Sequence, residues 1–118
     1  MAAIYLIVTI ATMSANAAIA IADFRRAAFV LANSAAVGVP SSWLPLLGSL
    51  KAAGAAGLLL GLVGVPLVGS AAAAGLTLFF IGAVAAHLRA GVHHNLIFPG
   101  AYLALAVTTF ALSVSTAR

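Results

Sequence analysis

The sequence predicts an all-α integral membrane protein, a four-helix up-down bundle that occupies residues 1–118 as a single transmembrane domain. Three observations predict it. First, hydrophobic residues make up 65% of the 118, charged residues only 5%, and the mean hydropathy is +1.27. A soluble domain carries about a quarter charged residues, so this chain cannot cover a water-facing surface, and disorder needs the opposite composition. Second, a helical crossing takes about 20 apolar residues, so four crossings use roughly 80 and leave room for three turns and two ends. Third, the apolar stretches are continuous Ala/Leu/Gly/Val runs. A transmembrane barrel would instead alternate apolar and polar letters over ~10-residue stretches.

The first helix is read over residues 2–22 and closes at Asp23-Phe24-Arg25-Arg26. Ala15-Asn16-Ala17 has the small-residue form of a signal-peptidase site, but no basic region precedes it and apolar sequence runs on to Ala22. Residues 24–38 are mixed and moderately amphipathic; they either extend helix one to about residue 36 or lie along the interface. Pro40, Ser41, Ser42, Trp43 and Pro45 make a break followed by a helix start, with a serine cap, a first-turn proline and an interfacial tryptophan. Helix two is read over 43–65, an uncharged turn follows at Gly64 to Ser70, and helix three is read over 68–90. After the polar stretch Gly91 to Asn95, helix four is read over 97–116, with Pro99 in its first turn. Short antiparallel connections favour an up-down bundle.

The formal charge of +4 comes without a basic run or aromatic-basic interleaving, so the cations read as orientation signals and not as a nucleic-acid surface. Arg25, Arg26 and Arg89 flank the first and third connections, Lys51 lies nearest that side, and only Arg118 marks the other. The positive-inside bias therefore places connections 23–42 and 91–96 in the cytoplasm and both termini outside, in a multi-pass cell-membrane protein whose first partner is the lipid bilayer.

Up-down threading brings the polar side chains into one half of the bilayer. Asn16 lies ~9 Å and Lys51 ~12 Å inside the first-connection boundary at 1.5 Å per residue. Asp23 and Arg89 lie near that boundary, His87 is in the last turn of helix three, and Tyr102 is in the first turns of helix four. The opposite half offers hydroxyls: Thr9, Thr12, Thr77, Thr109 and Ser113. Phase agrees with depth. Thr9, Asn16 and Asp23 are spaced by seven, as are Phe80, His87 and His94, and Tyr102, Ala106, Thr109, Ser113 and Thr116 keep the same face. Four such stripes turned inward would build a polar pocket.

Each residue also has a plainer reading. A charged lysine at mid-helix depth costs about 2.5–3.5 kcal/mol, so Lys51 needs a counterion, for which Asp23 is the one acid in the chain, a cavity with water, or loss of its proton, unless it snorkels to the headgroups. Asn16 serves a ligand or bonds between helices. His87 exchanges protons or caps carbonyls at its helix end. Tyr102 orients a ligand or anchors at the interface, and the arginines meet headgroups. Gly54, Gly57, Gly61 and Gly64 on helix two, and Gly75 and Gly82 on helix three, read as close-packing stripes. Ser49 to Gly54 is not a phosphate-binding loop, because its glycine does not precede the lysine. Cysteine is absent, and His87, His93 and His94 with one acid do not make a metal or haem ligand set, so no metal is expected and the sequence names no cofactor.

Two stretches resemble the DoxX-like membrane family: Leu47-Gly48-Ser49-Leu50-Lys51-Ala52-Ala53-Gly54-Ala55-Ala56-Gly57-Leu58, similar to its lysine-containing, glycine-rich second helix, and Ala72 to His87, similar to its glycine-rich third helix ending in histidine. The family's acidic-Trp pair at the start of helix three is replaced here by Leu67-Val68-Gly69-Ser70. The resemblance implies a small four-helix bacterial membrane protein, carries Lys51 and His87 over as its special positions, and connects to quinone-coupled sulfur oxidation and membrane oxidoreductase complexes. Two functions follow as expectations. One is an intramembrane site for a lipophilic small molecule, with Lys51, His87 and Asp23 exchanging protons (isomerisation, epoxide opening or cyclisation) and Asn16, Tyr102 and Phe80 orienting the ligand, or with a quinone headgroup bound beside an oxidoreductase. The other is a non-catalytic subunit or scaffold whose glycine faces dock a partner membrane protein or a second copy.

Overall fold

The computed structural model describes residues 2–116 of the chain, so Arg118 lies outside the described residues, as does the side chain of Thr116. Its helices are α1 (Ala2–Phe24), α2 (Ala28–Ala36), α3 (Leu44–Leu62), α4 (Pro66–Arg89) and α5 (Ile97–Thr116), with a 3-10 turn at Ser41–Trp43 leading into α3. The fold is all-helical, and four helices are long and apolar enough to cross a membrane: Ala3–Phe24, Ser41–Leu62, Leu67–Arg89 and Ile97–Ser115. The longest dimension, 42 Å, matches the ~40–45 Å of a bilayer with its headgroups.

The connections are short, so consecutive spans run antiparallel. The spans form a ring: α1 packs on α3, α3 on α4, α4 on α5, and α5 closes back on α1. Buried positions follow the three-four spacing of a left-handed bundle. On α1 they are Thr9, Thr12, Asn16, Ala20 and Asp23, and on α5 Ala106, Thr109 and Ser113. The burial is inverted relative to a soluble protein. Leu, Ile, Val and Phe side chains cover the outside, whereas threonines, an asparagine and an ion pair lie within. The apolar core is small, built from Leu58, Ala73, Leu76, Phe80 and Ala106.

Lipid tails are as apolar as leucine, so close packing and hydrogen bonds must hold such a ring together. Between α3 and α4 the device is glycine. A Cβ at Gly54 would meet Leu76 at 2.5 Å, one at Gly57 the Cβ of Ala72 at 2.6 Å, and one at Gly61 the backbone of Gly69 at 2.7 Å. Between α1 and α5 the Thr12 and Thr109 hydroxyls bond at 2.8 Å, and Ser70 of α4 meets Ser113 of α5 at 3.0 Å. Three glycines depart from the stripe expected of them. Gly75 and Gly82 lie on the exposed surface of α4 and a Cβ at either would meet nothing within 4 Å, and Gly64 stands in the turn after α3 with a left-handed φ of 115°.

Residues 24–38 do not continue α1, so the expected extension of helix one to about residue 36 is corrected. The chain stops at Phe24, turns, and restarts as α2. The break is a left-handed residue, Arg26 at φ 53°, with the amide of Ala27 donating back to the Ala22 carbonyl at 3.0 Å. The same six-to-one bond closes α2, α3 and α4, and there the left-handed residue is glycine: Gly38, Gly64 and Gly91. An arginine in that conformation costs roughly 1–2 kcal/mol. The α4 helix ends at Arg89, so His94 sits exposed in the following turn and does not continue the Phe80–His87 stripe.

Candidate functional site

The seven-residue spacing of α1 carries Asp23 inward at the last turn of that helix, where its 2% exposure puts it out of reach of water. A carboxylate there faces the negative end of the helix dipole, which disfavours it further. Lys51 supplies what it lacks. Its Nζ donates to Asp23 Oδ2 at 2.7 Å, and the lysine side chain is itself 10% exposed. The snorkelling alternative for Lys51 is therefore not taken up: its ammonium points between the helices.

Two neighbours make the pair possible. Gly48, one turn before Lys51, lets α3 approach α1, since a Cβ there would stand 3.0 Å from that of Asp23 and 3.2 Å from the Phe24 ring. Phe79 of α4 lies under the ammonium, with its centroid 5.3 Å from Nζ. A cation held over an aromatic face in a desolvated position gains about 2 kcal/mol. Ammonium, carboxylate and ring thus come from three helices.

His87, 4% exposed, belongs to a second cluster. Its Nδ1 donates to the Ala83 carbonyl one turn back at 2.8 Å, and its Nε2 lies 3.2 Å from Asn33 Oδ1 on α2. Asn95 Nδ2 donates to the same Asn33 oxygen at 3.5 Å. With Nδ1 protonated, Nε2 can face an acceptor only as an imidazolium; neutral, it needs the Asn33 amide turned round to offer its NH2. Either way, α2 is tied across the end of the bundle through Asn33.

Tyr102 turns inward: its hydroxyl donates to the Ala15 carbonyl of α1 at 3.1 Å, and its ring lies 5.2 Å from that of Phe80, which in turn meets Phe79 at 5.0 Å. Asn16, the residue after Ala15, is fully buried. Its Nδ2 donates to the Thr12 carbonyl of its own helix, while Oδ1 has no partner, like the hydroxyl of Thr9 one heptad earlier. The asparagine therefore makes no interhelical bond. A buried acceptor without a donor is rare in native proteins.

The expected residues are thus distributed over the interior in three places. Lys51 and Asp23 are joined to each other, His87 bonds to Asn33 and Ala83 and not to Lys51, and Tyr102 with Phe80 and Asn16 lies between α1, α4 and α5. Sequence reasoning missed Asn33, Asn95 and Phe79. An amide within α2, whose other residues are apolar except Ser34, was the available signal for the first. The other two lie in a turn and in an aromatic pair, where sequence alone gives no direction. Among the described residues no group of three His, Cys, Asp or Glu side chains could hold a metal ion. A groove of about 630 Å³ opens on the outer side of α3 and α4, lined by Gly54, Gly57, Gly75 and Phe79 among others, and its walls are apolar.

Compared with known families, residues 7–109 match the profile of the DoxX-like family. No curated protein and no solved structure matches the chain.

Proposed function

The chain belongs to the DoxX-like family of membrane proteins, and from that premise we propose that it binds a lipophilic small molecule within the bilayer, beside the Lys51–Asp23 pair. The observation that carries the reading is an ammonium and a carboxylate bonded at 2.7 Å inside an apolar bundle. Replacing a buried ion pair by apolar residues is often neutral or stabilising, so stability alone does not call for one here. Ionisable groups inside spans serve substrates, ions or protons as a rule. Lys51 and Asp23 hold the polar head of the ligand and exchange protons with it. His87, at the same end of the bundle, serves as the second proton-exchanging group, and Asn16 Oδ1 accepts from the ligand or from a water beside it. The α2 end, with exposed Arg25, Arg26 and Arg89, faces the cytoplasm.

The test is chemical. The wild-type protein and the double variant Lys51→Met/Asp23→Leu are isolated in native-lipid nanodiscs, and their organic extracts are compared by mass spectrometry. Because both charges leave together, the double variant keeps a compatible core. The expected result is a lipophilic species, distinct from the bulk lipids, enriched with the wild type and lost from the variant. Identical extracts overturn the reading.

One observation favours a second reading, that of a non-catalytic membrane subunit. Gly75 and Gly82 leave open space on the outer side of α4, where a helix of a partner could approach closely. On that reading Lys51→Met and His87→Phe leave cellular function and partner assembly intact.

A further inference from the structure

We propose that the place where the first span leaves the bilayer and the second enters it is a seat for the headgroup of an anionic phospholipid, held by Arg25 and Arg26. It is separate from the buried Lys51–Asp23 pair, and its lipid is a bound neighbour of the protein, not the molecule proposed to lie inside the bundle.

The first observation is the backbone of Arg26. Four helix ends close through a left-handed residue, and at three of them it is glycine: Gly38, Gly64 and Gly91. Arg26 alone carries a side chain there, at φ 53°, a conformation that a Cβ disfavours. Backbone strain of this kind clusters at functional sites. The fold itself makes little use of the side chain. Its guanidinium is exposed, and of its five N–H donors one reaches the Ser41 carbonyl at 3.4 Å, longer than the usual range of about 2.7–3.2 Å. Arg25 is exposed as well, and among the described residues its guanidinium makes no hydrogen bond or ion pair.

Place and charge select the partner. The first span ends at Phe24 and the second begins at Ser41, so the contact between Arg26 and Ser41 joins two spans at one boundary of the bilayer, where the lipid phosphates lie. Exposed Phe24, Phe29 and Trp43 flank it along the chain and suit the glycerol and upper acyl region of a lipid. Among the described residues no free carboxylate opposes the arginines, because Asp23 is buried and paired with Lys51. A phosphodiester accepts two parallel N–H bonds from one guanidinium. Phosphatidylcholine offers the same phosphate but brings its own ammonium, for which this boundary has no acid. A lipid whose phosphate charge stays uncompensated, such as phosphatidylglycerol, is therefore preferred.

Trp43 is the one tryptophan and lies two residues beyond Ser41, so its fluorescence reports lipid at this place. The wild-type protein is reconstituted in phosphatidylcholine bilayers containing a rising fraction of phosphatidylglycerol brominated on its acyl chains, and quenching is compared with that by brominated phosphatidylcholine. Phosphatidylglycerol should be preferred, and Arg26→Gly should lower the preference about fivefold, the weight of one arginine near an anionic surface. That variant relieves the backbone, so lost binding in a protein no less stable is not unfolding. Arg25→Gln should also lower the preference. Arg89→Gln removes the same charge from the same end of the molecule, on α4, and should leave it unchanged. Equal quenching by the two lipids, or a preference that survives both Arg26→Gly and Arg25→Gln, overturns the proposal. An equal fall in Arg89→Gln overturns it too, since a diffuse field would then replace a seat. Displacement of the brominated phosphatidylglycerol by soluble glycerol phosphate would overturn the lipid as occupant in favour of a free anion.

Discussion

Removing one member of the Lys51–Asp23 pair leaves the other charge without a partner in a medium that solvates neither. Lys51→Met should therefore lower the unfolding free energy by about 3 kcal/mol, read as a shift of the midpoint in mixed-micelle denaturation. Lys51→Met/Asp23→Leu should recover most of that loss; a double variant as unstable as the single would mean that the pair is not buried as described. Arg26 offers a change of opposite sign. It holds the left-handed position that glycine fills at the other helix ends, so Arg26→Gly should stabilise by about 1 kcal/mol, provided its long 3.4 Å contact with the Ser41 carbonyl contributes little. At this scale the sequence made the ion pair legible, because the chain has one lysine and one acid and depth placed both in the same half of the bilayer. It did not make Asn33 or Phe79 legible. Their roles depend on how α2 folds back over the bundle and on which of two adjacent rings faces α3, and neither is written in helical period.

Among the elements, α3 and α4 depend on each other most closely. Gly61 and Gly69 bring backbone against backbone, so Gly61→Leu has no flexible neighbour to displace and should separate the two helices, whereas Leu76 beside Gly54 can rotate. The check is a loss of the cooperative transition in Gly61→Leu against a near-native midpoint in Gly82→Leu. The α2 helix is held differently, by the Asn33 bond to His87 and by buried Val30 and Ser34. Asn33→Ala should raise hydrogen exchange across Ala28–Ala36 and leave the four spans protected. The four long helices and their ends were readable to within a few residues, since prolines, glycines and charges punctuate an otherwise apolar chain. The packing faces were readable only in part: glycine spacing identified Gly54, Gly57 and Gly61 but could not tell them from Gly75 and Gly82, whose outward direction is decided by the tertiary ring.

For the whole molecule, the ring of four spans buries its polar residues and turns its aliphatic ones toward lipid, which suits a multi-pass protein of the DoxX-like family. Native cysteine is absent, so single cysteines report topology without background. With the α2 end in the cytoplasm, Ser42→Cys should react with an impermeant maleimide only after the membrane is opened, and Gly64→Cys should react in intact cells; the reverse pattern would invert the orientation. The buried ion pair itself is best tested in a bilayer. Because Lys51 is the one lysine and Asp23 the one acid, labelling by residue type gives site-specific signals. Solid-state NMR of lipid-embedded protein with 15N-lysine and 13C-aspartate should show a strong dipolar coupling between the Lys51 ammonium nitrogen and the Asp23 carboxyl carbon, as their 2.7 Å contact requires. An uncoupled nitrogen exchanging freely with headgroup water would contradict it.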